Sequence, residues 1–165
     1  MNAIFTRKSI RSYTDQPVSK EDLKDLLHAG MSAPTAMNNR PWQFILVTDK
    51  ALLKKMPMDN YTQAVADAQA AIVVCGDNAK DKAMNGALNV IDCPAATENI
   101  LVEAADTGLG SVYYAAYPME SRMTYLRKLF SLPENIVPYA LLPIGWPKQQ
   151  PELSDRYDDS MVHEN

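Results

Sequence analysis

Strands and helices alternate along this 165-residue chain around what reads as one sheet, which predicts an α/β or α+β domain. Three observations carry that expectation. Two β-rich apolar runs, residues 43–48 (QFILVT) and 70–76 (AAIVVCG), have the length of buried strands. Stretches with apolar residues at helical spacing lie between and after them, each bounded by a cap, a proline or a glycine. The chain is 47% hydrophobic and 22% charged, enough apolar material for a core and far from the profile of disorder. No repeat, low-complexity block or Gly/Ser linker marks a second unit, so residues 1–165 are expected to form a single domain.

Taken in order, Ser19 is a good N-cap for a helix that carries Leu23, Leu26 and Leu27 on one side and ends near Gly30 and Pro34. The first strand follows at 43–48. Residues 51–56 and 61–69 look helical, and 70–76 is the second strand. Asp92-Cys93-Pro94 has the cap-then-proline form of a helix start. Apolar residues from there to Ala105 lie almost all round, so that helix should be buried centrally. Gly108 and Gly110 break it. Residues 112–117 read as the third strand and 119–130 as an amphipathic helix with Met123, Leu126 and Phe130 in phase. Residues 137–146 make the fourth strand, with Pro138 and Pro143 confining part of it to an edge or a bulge. The polar tail from Lys148 is expected to be loose or to lie across another surface, such as a partner subunit.

Composition excludes several functions. Sixteen Lys and Arg against twenty Asp and Glu give a net charge of −4, which disfavours general nucleic-acid binding. Cys75 and Cys93 are too few and too far apart for a CxxC pair, a zinc knuckle or a disulfide scaffold. No apolar run approaches the roughly 20 residues of a membrane span, and no secretory leader pattern follows Met1, so a cytoplasmic protein without membrane contact is expected. With His28 and His163 as the two histidines, there is no HExxH or three-His metal site and little room for a Ser-His-Asp relay. No metal is expected. The run Gly108-Leu109-Gly110-Ser111-Val112-Tyr113 lacks the third glycine of a dinucleotide fingerprint, and its order is helix, turn, strand, the reverse of what that fingerprint needs.

Two stretches remain unexplained by packing. In Arg7-Lys8-Ser9-Ile10-Arg11, Arg7 and Arg11 share a side with Ser9 between them, a pattern of guanidinium forks and a hydroxyl suited to phosphate. A basic run near a terminus is more often a solvated face. In Ser32-Ala33-Pro34-Thr35-Ala36-Met37-Asn38-Asn39-Arg40-Pro41-Trp42-Gln43-Phe44, a polar loop pinned by two prolines leads straight into an apolar strand, so its amides and hydroxyls need partners. It is either an ordinary structural loop or a pocket wall for a flat, heteroatom-rich ligand.

Together these stretches resemble the nitroreductase family of FMN-dependent oxidoreductases. Arg7, Ser9 and Arg11 match its R-x-S-x-R; Pro34, Thr35, Asn38, Pro41 and Trp42 match its P-[ST]-x-x-N-x-Q-P-W loop. Residues 95–105 with the glycine turn look like its central helix, Ile144-Gly145-Trp146-Pro147 like its late strand end, and Asp155-Arg156-Tyr157 like its C-terminal segment. The resemblance implies an α+β fold, a mainly antiparallel central sheet wrapped by helices, in a homodimer with FMN at the subunit interface. It implies that Arg7, Arg11 and Arg156 neutralise the FMN phosphate and that Lys8 and Ser9 lie along the ribityl and pyrimidine side. It further implies that Pro34, Thr35, Ala36 and Asn38, with Arg40 beside them, reach the cofactor from the other subunit, and that backbone amides of Ala115 and Ala116 approach the flavin N5 region. Arg40 stands where Gln is commoner, Tyr113 where Trp is frequent and Ala115-Ala116 where glycine often occurs, departures that bear on substrate shape. The chain is short for the family, which implies a reduced tail and lid.

The activity so implied is hydride transfer from NADH or NADPH to FMN, then to a nitroaromatic, quinone or similar small acceptor, with the cofactor rather than a side chain doing the chemistry. A specialised flavin enzyme of the same fold and a flavin-binding or redox-sensing protein without efficient turnover are the alternatives.

Overall fold

The computed structural model describes residues 2–81, 84–153 and 155–164. Its sheet contains β1 (Trp42–Val47), β2 (Ala70–Asp77), β3 (Gly110–Ser111), β4 (Tyr114–Ala115) and β5 (Ile136–Gly145). The strand order is β1-β2-β5-β3, with β4 also on β5, and every pairing between these strands is antiparallel. The helices are α1 (Ala3–Thr6), α2 (Lys20–Met31), α3 (Lys50–Leu53), α4 (Asn89–Asp106) and α5 (Glu120–Phe130). The fold is therefore α+β.

The apolar run of β2 explains the layering. Ala70 to Gly76 are all buried. Ile72 and Val74 pack into one core with Leu26 of α2 and Ile100 of α4, whereas Ala71, Val73 and Cys75 pack into another with Leu53 of α3 and Leu126 of α5. A strand whose side chains alternate between two faces needs apolar residues at every position only when both faces are covered. At about 1.5–3 kcal/mol for each large aliphatic side chain fully buried, these two cores dominate the favourable side of folding.

The prolines of β5 sit differently from the sequence expectation of a partial edge, because β5 is paired on both sides, with β2 and with β3 and β4. Pro138 accompanies a bulge: register steps from Val74–Ala140 to Cys75–Pro138 and skips Tyr139. Pro143 lies opposite the interruption between β3 and β4. These two dipeptides hold one continuous register against β5, and the gap at residues 112–113 faces Leu142 and Pro143. Proline has no N–H to give there, so the ladder opens locally. The expected strand at 112–117 is thus moved two residues back and split.

Other differences are equally local. The Ser19 capping box forms, with Ser19 Oγ accepting from Asp22 N at 3.0 Å and Asp22 Oδ2 accepting from Ser19 N at 3.2 Å. The helix expected at 61–69 is a single 3-10 turn, Gln63–Val65. Thr62 is buried and its hydroxyl accepts from Met58 N and Asp59 N at 2.8 and 3.1 Å, a turn that competes with helix. The helix expected at 51–56 shrinks to α3. Helix α4 starts three residues before Asp92 and carries Pro94 inside its second turn; the carbonyl this leaves without a helical partner belongs to Val90, on the exposed side.

Gly110 permits the closest approach in the sheet, since a Cβ built there would lie 2.7 Å from Ile10 Cβ. Gly110→Ala is expected to overpack this contact at a cost of about 1–3 kcal/mol, lowering Tm by roughly 2–4 °C for each kcal/mol in a domain of this size. A thermal melt of the variant against the parent protein checks it.

Candidate functional site

The N-terminal basic segment is laid against the free edge of β3. Ile10 N donates to Ser111 O at 2.9 Å, Ser9 and Ser111 form a parallel bridge, and Thr14 N donates to Trp146 O at 2.8 Å beside a Tyr13–Pro147 bridge. Tyr13 locks the segment from below: its buried hydroxyl donates to Ile10 O at 2.6 Å, and burial holds its pKa far above the usual phenol, so it stays a neutral donor. Ser9 and Ile10 are thus held against the sheet edge by backbone pairing, with Arg7 and Arg11 two residues before and after Ser9.

That path fixes each basic side chain. Arg7 Nε lies 3.0 Å from Glu98 Oε1 on α4, with side chains 23% and 52% exposed. A pair this open is worth about 0–1 kcal/mol, so a dianion could displace Glu98 cheaply. Lys8 and Ile10 line a small cavity with Leu101, Gly108, Ser111 and Gln150. Ser111 Oγ, buried beside Ser9, has no hydrogen-bond partner among the described residues. Arg11 is exposed and stands beside Tyr114; burial raises the Tyr114 pKa, and the Arg11 charge only partly offsets this.

Beyond β3 the same edge continues to Ala115. Ala116 N donates inward to Tyr139 O at 2.8 Å. Antiparallel pairs alternate, so Ala115, one residue before, turns its N–H and C=O outward, away from β5. Its carbonyl accepts from Arg122 Nη1 at 2.7 Å. Of the two amides singled out from sequence, that of Ala116 is spent within the sheet and that of Ala115 lies on the outer edge.

The polar loop is rigidly built. Ala36 N donates to Asp92 Oδ1 at 2.9 Å, Asn39 N to Ala36 O at 3.0 Å, and Arg40 N to Thr35 Oγ1 at 3.1 Å. Met37, Asn38 and Arg40 have φ of 51°, 52° and 47°. Left-handed backbone costs of order 1–3 kcal/mol at non-glycine residues and persists where surrounding bonds over-determine it. The Arg40 side chain closes the loop by donating to Asn38 Oδ1 at 3.0 Å, while Pro34, Met37 and Asn38 stay exposed.

Within one chain the two stretches do not meet. The loop leads into β1 at one end of the strand order, and the basic segment runs along β3 at the other. Both are fastened to α4, at Asp92 and Glu98, but six residues place these contacts about 120° apart round the helix. Arg156 lies on the tail, whose described residues from Lys148 onward are all exposed.

The model of the family described as the nitroreductase family matches residues 4–83 and 56–146. The chain belongs to the nitroreductase family. It is 44% identical over 167 residues to a protein of Archaeoglobus fulgidus provisionally named NADH dehydrogenase/NAD(P)H nitroreductase, covering 99% of this chain and 95% of that one. It is similar to a crystal structure of a provisionally named NADH oxidase from Clostridium acetobutylicum, with a TM-score of 0.93 and 37% identity over 98% of this chain and 97% of the other. A provisionally named nitroreductase from Desulfovibrio desulfuricans, solved in complex with FMN, matches with a TM-score of 0.83 and 28% identity over 99% of this chain and 94% of that one.

Three features of this nitroreductase-family chain escape a reading of its sequence. Asp92 reads as a cap, yet it is buried inside α4 and anchors the loop 56 residues away. The Arg122–Asp59 pair spans 63 residues. Ser111 reads as a turn residue, yet its buried hydroxyl is left over. Each depends on contacts far apart in sequence, for which no local pattern exists.

Two outcomes follow. Asp92→Ala leaves the Ala36 N–H without its acceptor, and a loss of about 1–3 kcal/mol is expected, with faster amide exchange at Ala36 by NMR. At Asp59, burial raises the carboxyl pKa, but hydrogen bonds from Arg122, Tyr61 N and Thr62 together with the Arg122 charge outweigh it and hold it below the usual value. A depressed folded pKa contributes stability that is present above the unfolded pKa of about 3.9 and lost as pH falls through the folded one. Asp59→Asn should therefore flatten the acid limb of a stability-against-pH curve below about pH 4, measured by urea unfolding.

Proposed function

We propose that this protein is an FMN-dependent oxidoreductase that takes electrons from NADH or NADPH and passes them to a nitroaromatic, quinone or similar small acceptor, acting as a homodimer with two shared sites. The observation that carries this reading is the outer edge of β3 and β4, where backbone pairing of Ser9 and Ile10 with Ser111 brings the Arg7–Arg11 segment to the same edge that ends at Ala115. Names of relatives agree with it: NAD(P)H appears in that of the Archaeoglobus protein and FMN in that of the Desulfovibrio complex.

The residues present fit the cofactor. Among the described residues the Arg7 side chain is held by an open ion pair alone, Arg11 is exposed, and the buried Ser111 hydroxyl beside Ser9 lacks a partner. Arg7 and Arg11 would hold the phosphate, joined by Arg156 of the tail, with Lys8 and Ser9 along the ribityl side and Ala115 N–H at the ring. The loop of Pro34, Thr35, Ala36, Asn38 and Arg40, turned to the opposite sheet edge, would complete the site of a second copy. This accounts for a loop that keeps three strained residues and an exposed surface. FMN, when bound, supplies the hydride chemistry.

The chain's own nucleophiles take no part. Burial pushes the Cys75 thiol up to about 12 and raises Cys93 as well, so both stay neutral inside the cores. What the protein supplies is binding, orientation and a fixed donor at the edge.

The test is the visible spectrum of the purified protein after FMN addition and removal of excess, then anaerobic NADH or NADPH. A retained flavin band bleached by either donor is expected. Retained flavin that neither bleaches favours a binding role, and no retained flavin overturns the reading. Arg7→Ala removes a charge-assisted contact of about 1.5–3 kcal/mol, so FMN affinity should fall by roughly 10- to 100-fold, with added salt weakening what remains. An affinity equal to that of the parent protein removes Arg7 from the phosphate site.

A further inference from the structure

The peptide between Ala115 and Ala116 is held at both ends. Its carbonyl accepts from Arg122 Nη1 at 2.7 Å and its N–H donates to Tyr139 O at 2.8 Å. Arg122 stands in the first turn of α5 and is itself fixed: Nε donates to Asp59 Oδ2 at 2.7 Å and Nη2 lies 2.6 Å from the same oxygen, with side chains 14% and 33% exposed. These are short, charge-assisted contacts, the strong kind. Asp59 is pinned in turn, since its other carboxylate oxygen accepts from Tyr61 N at 2.9 Å and its carbonyl accepts from Gln63 Nε2 at 2.9 Å. Tyr125, nearly one turn on from Arg122, donates to Lys55 O, so two side chains of α5 fasten the stretch from Lys55 to Asp59.

This arrangement exceeds what stability asks. Helix α5 is already seated by Leu126 in the core. The third contact of Arg122 goes to the outward-facing carbonyl of the residue whose N–H lies on the proposed flavin edge.

We propose that Arg122, held by Asp59, is a positioning residue: by holding the Ala115 carbonyl it fixes that residue at the sheet edge and so aims the Ala115 N–H, on the same outward side, at the flavin ring. The proposal rests on the FMN reading above. An N–H with a fixed direction is worth most where negative charge develops, so the clamp favours the reduced over the oxidised flavin. Oxidised FMN, held mainly through its phosphate, is little affected.

The experiment compares the full-length parent chain with Arg122→Ala, Arg122→Lys and Asp59→Asn, each loaded with FMN, by FMN affinity and by equilibrium redox titration. Arg122→Ala is expected to bind oxidised FMN within about threefold of the parent. Its affinity for reduced FMN should fall about tenfold, which lowers the two-electron midpoint by about 30 mV. Arg122→Lys, which keeps a charged donor, should recover part of that shift, and Asp59→Asn should shift it in the same direction as Arg122→Ala. An unchanged midpoint in Arg122→Ala overturns the proposal. If that variant does not fold, a parental midpoint in both Arg122→Lys and Asp59→Asn overturns it instead. A parent chain that retains no FMN defeats the functional reading itself, whereas a parent that binds FMN beside variants of unaltered midpoint defeats only the role of Arg122.

Discussion

Strand β5 hydrogen-bonds along both edges at once, and nearly every feature of the proposed site is reached through that fact. Because β2 occupies one edge, the chain from Gly110 to Ala115 is the last strand on the other, and its outer edge is what the N-terminal segment pairs with. Buried β5 tolerates two prolines only where the ladder does not need their N–H groups: at a bulge and opposite a gap. The bulge brings Tyr139 O within reach of both Ala116 N and Tyr117 N, at 2.8 and 3.2 Å. The irregularities of one strand thus set the backbone of the next, on which the positioning of Ala115 depends.

Strength is distributed accordingly. The two apolar cores carry the stability, while the edges keep polar groups in costly states: strained φ values at Met37, Asn38 and Arg40, a buried hydroxyl without a partner among the described residues, and an arginine held by a half-exposed glutamate. Such costs are tolerated where function uses them. They also fall at two opposite sheet edges. A site drawn from both edges needs two copies of the chain, and this geometry supports the homodimer as part of the proposed function.

Electrostatics separates the residues that hold position from those free to meet a ligand. Arg122 is committed, with three short contacts and a partner acid whose carboxyl is held below its usual range. Arg11 is exposed, with burial of Tyr114 outweighing its influence on that hydroxyl. Arg7 lies between these cases. The same residue type does opposite work according to how much of its surroundings is water.

Much of the architecture is legible in local pattern. The capping box at Ser19, the continuous apolar run of β2 and the glycine break after α4 are short-range signals, and each marks an element that forms. The resemblance to the family rests on motifs in order, and it points to the two stretches that the fold then sets on exposed edges. What the sequence could not determine is where polar side chains find partners at long range. Asp92 looks like a cap because its neighbours are a cysteine and a proline; only packing of α4 beside the loop makes it an acceptor for Ala36. Arg122 sits in an ordinary amphipathic helix, and only the chain path through Asp59 gives it a second partner and a carbonyl to hold. Residues 61–69 carry helical spacing, yet a buried threonine turn takes most of them because its hydrogen bonds form at once with residues four or fewer positions away. Periodicity and capping fix elements through neighbours in the chain, whereas the direction of an amide or a guanidinium is decided by groups that only the folded sheet brings together.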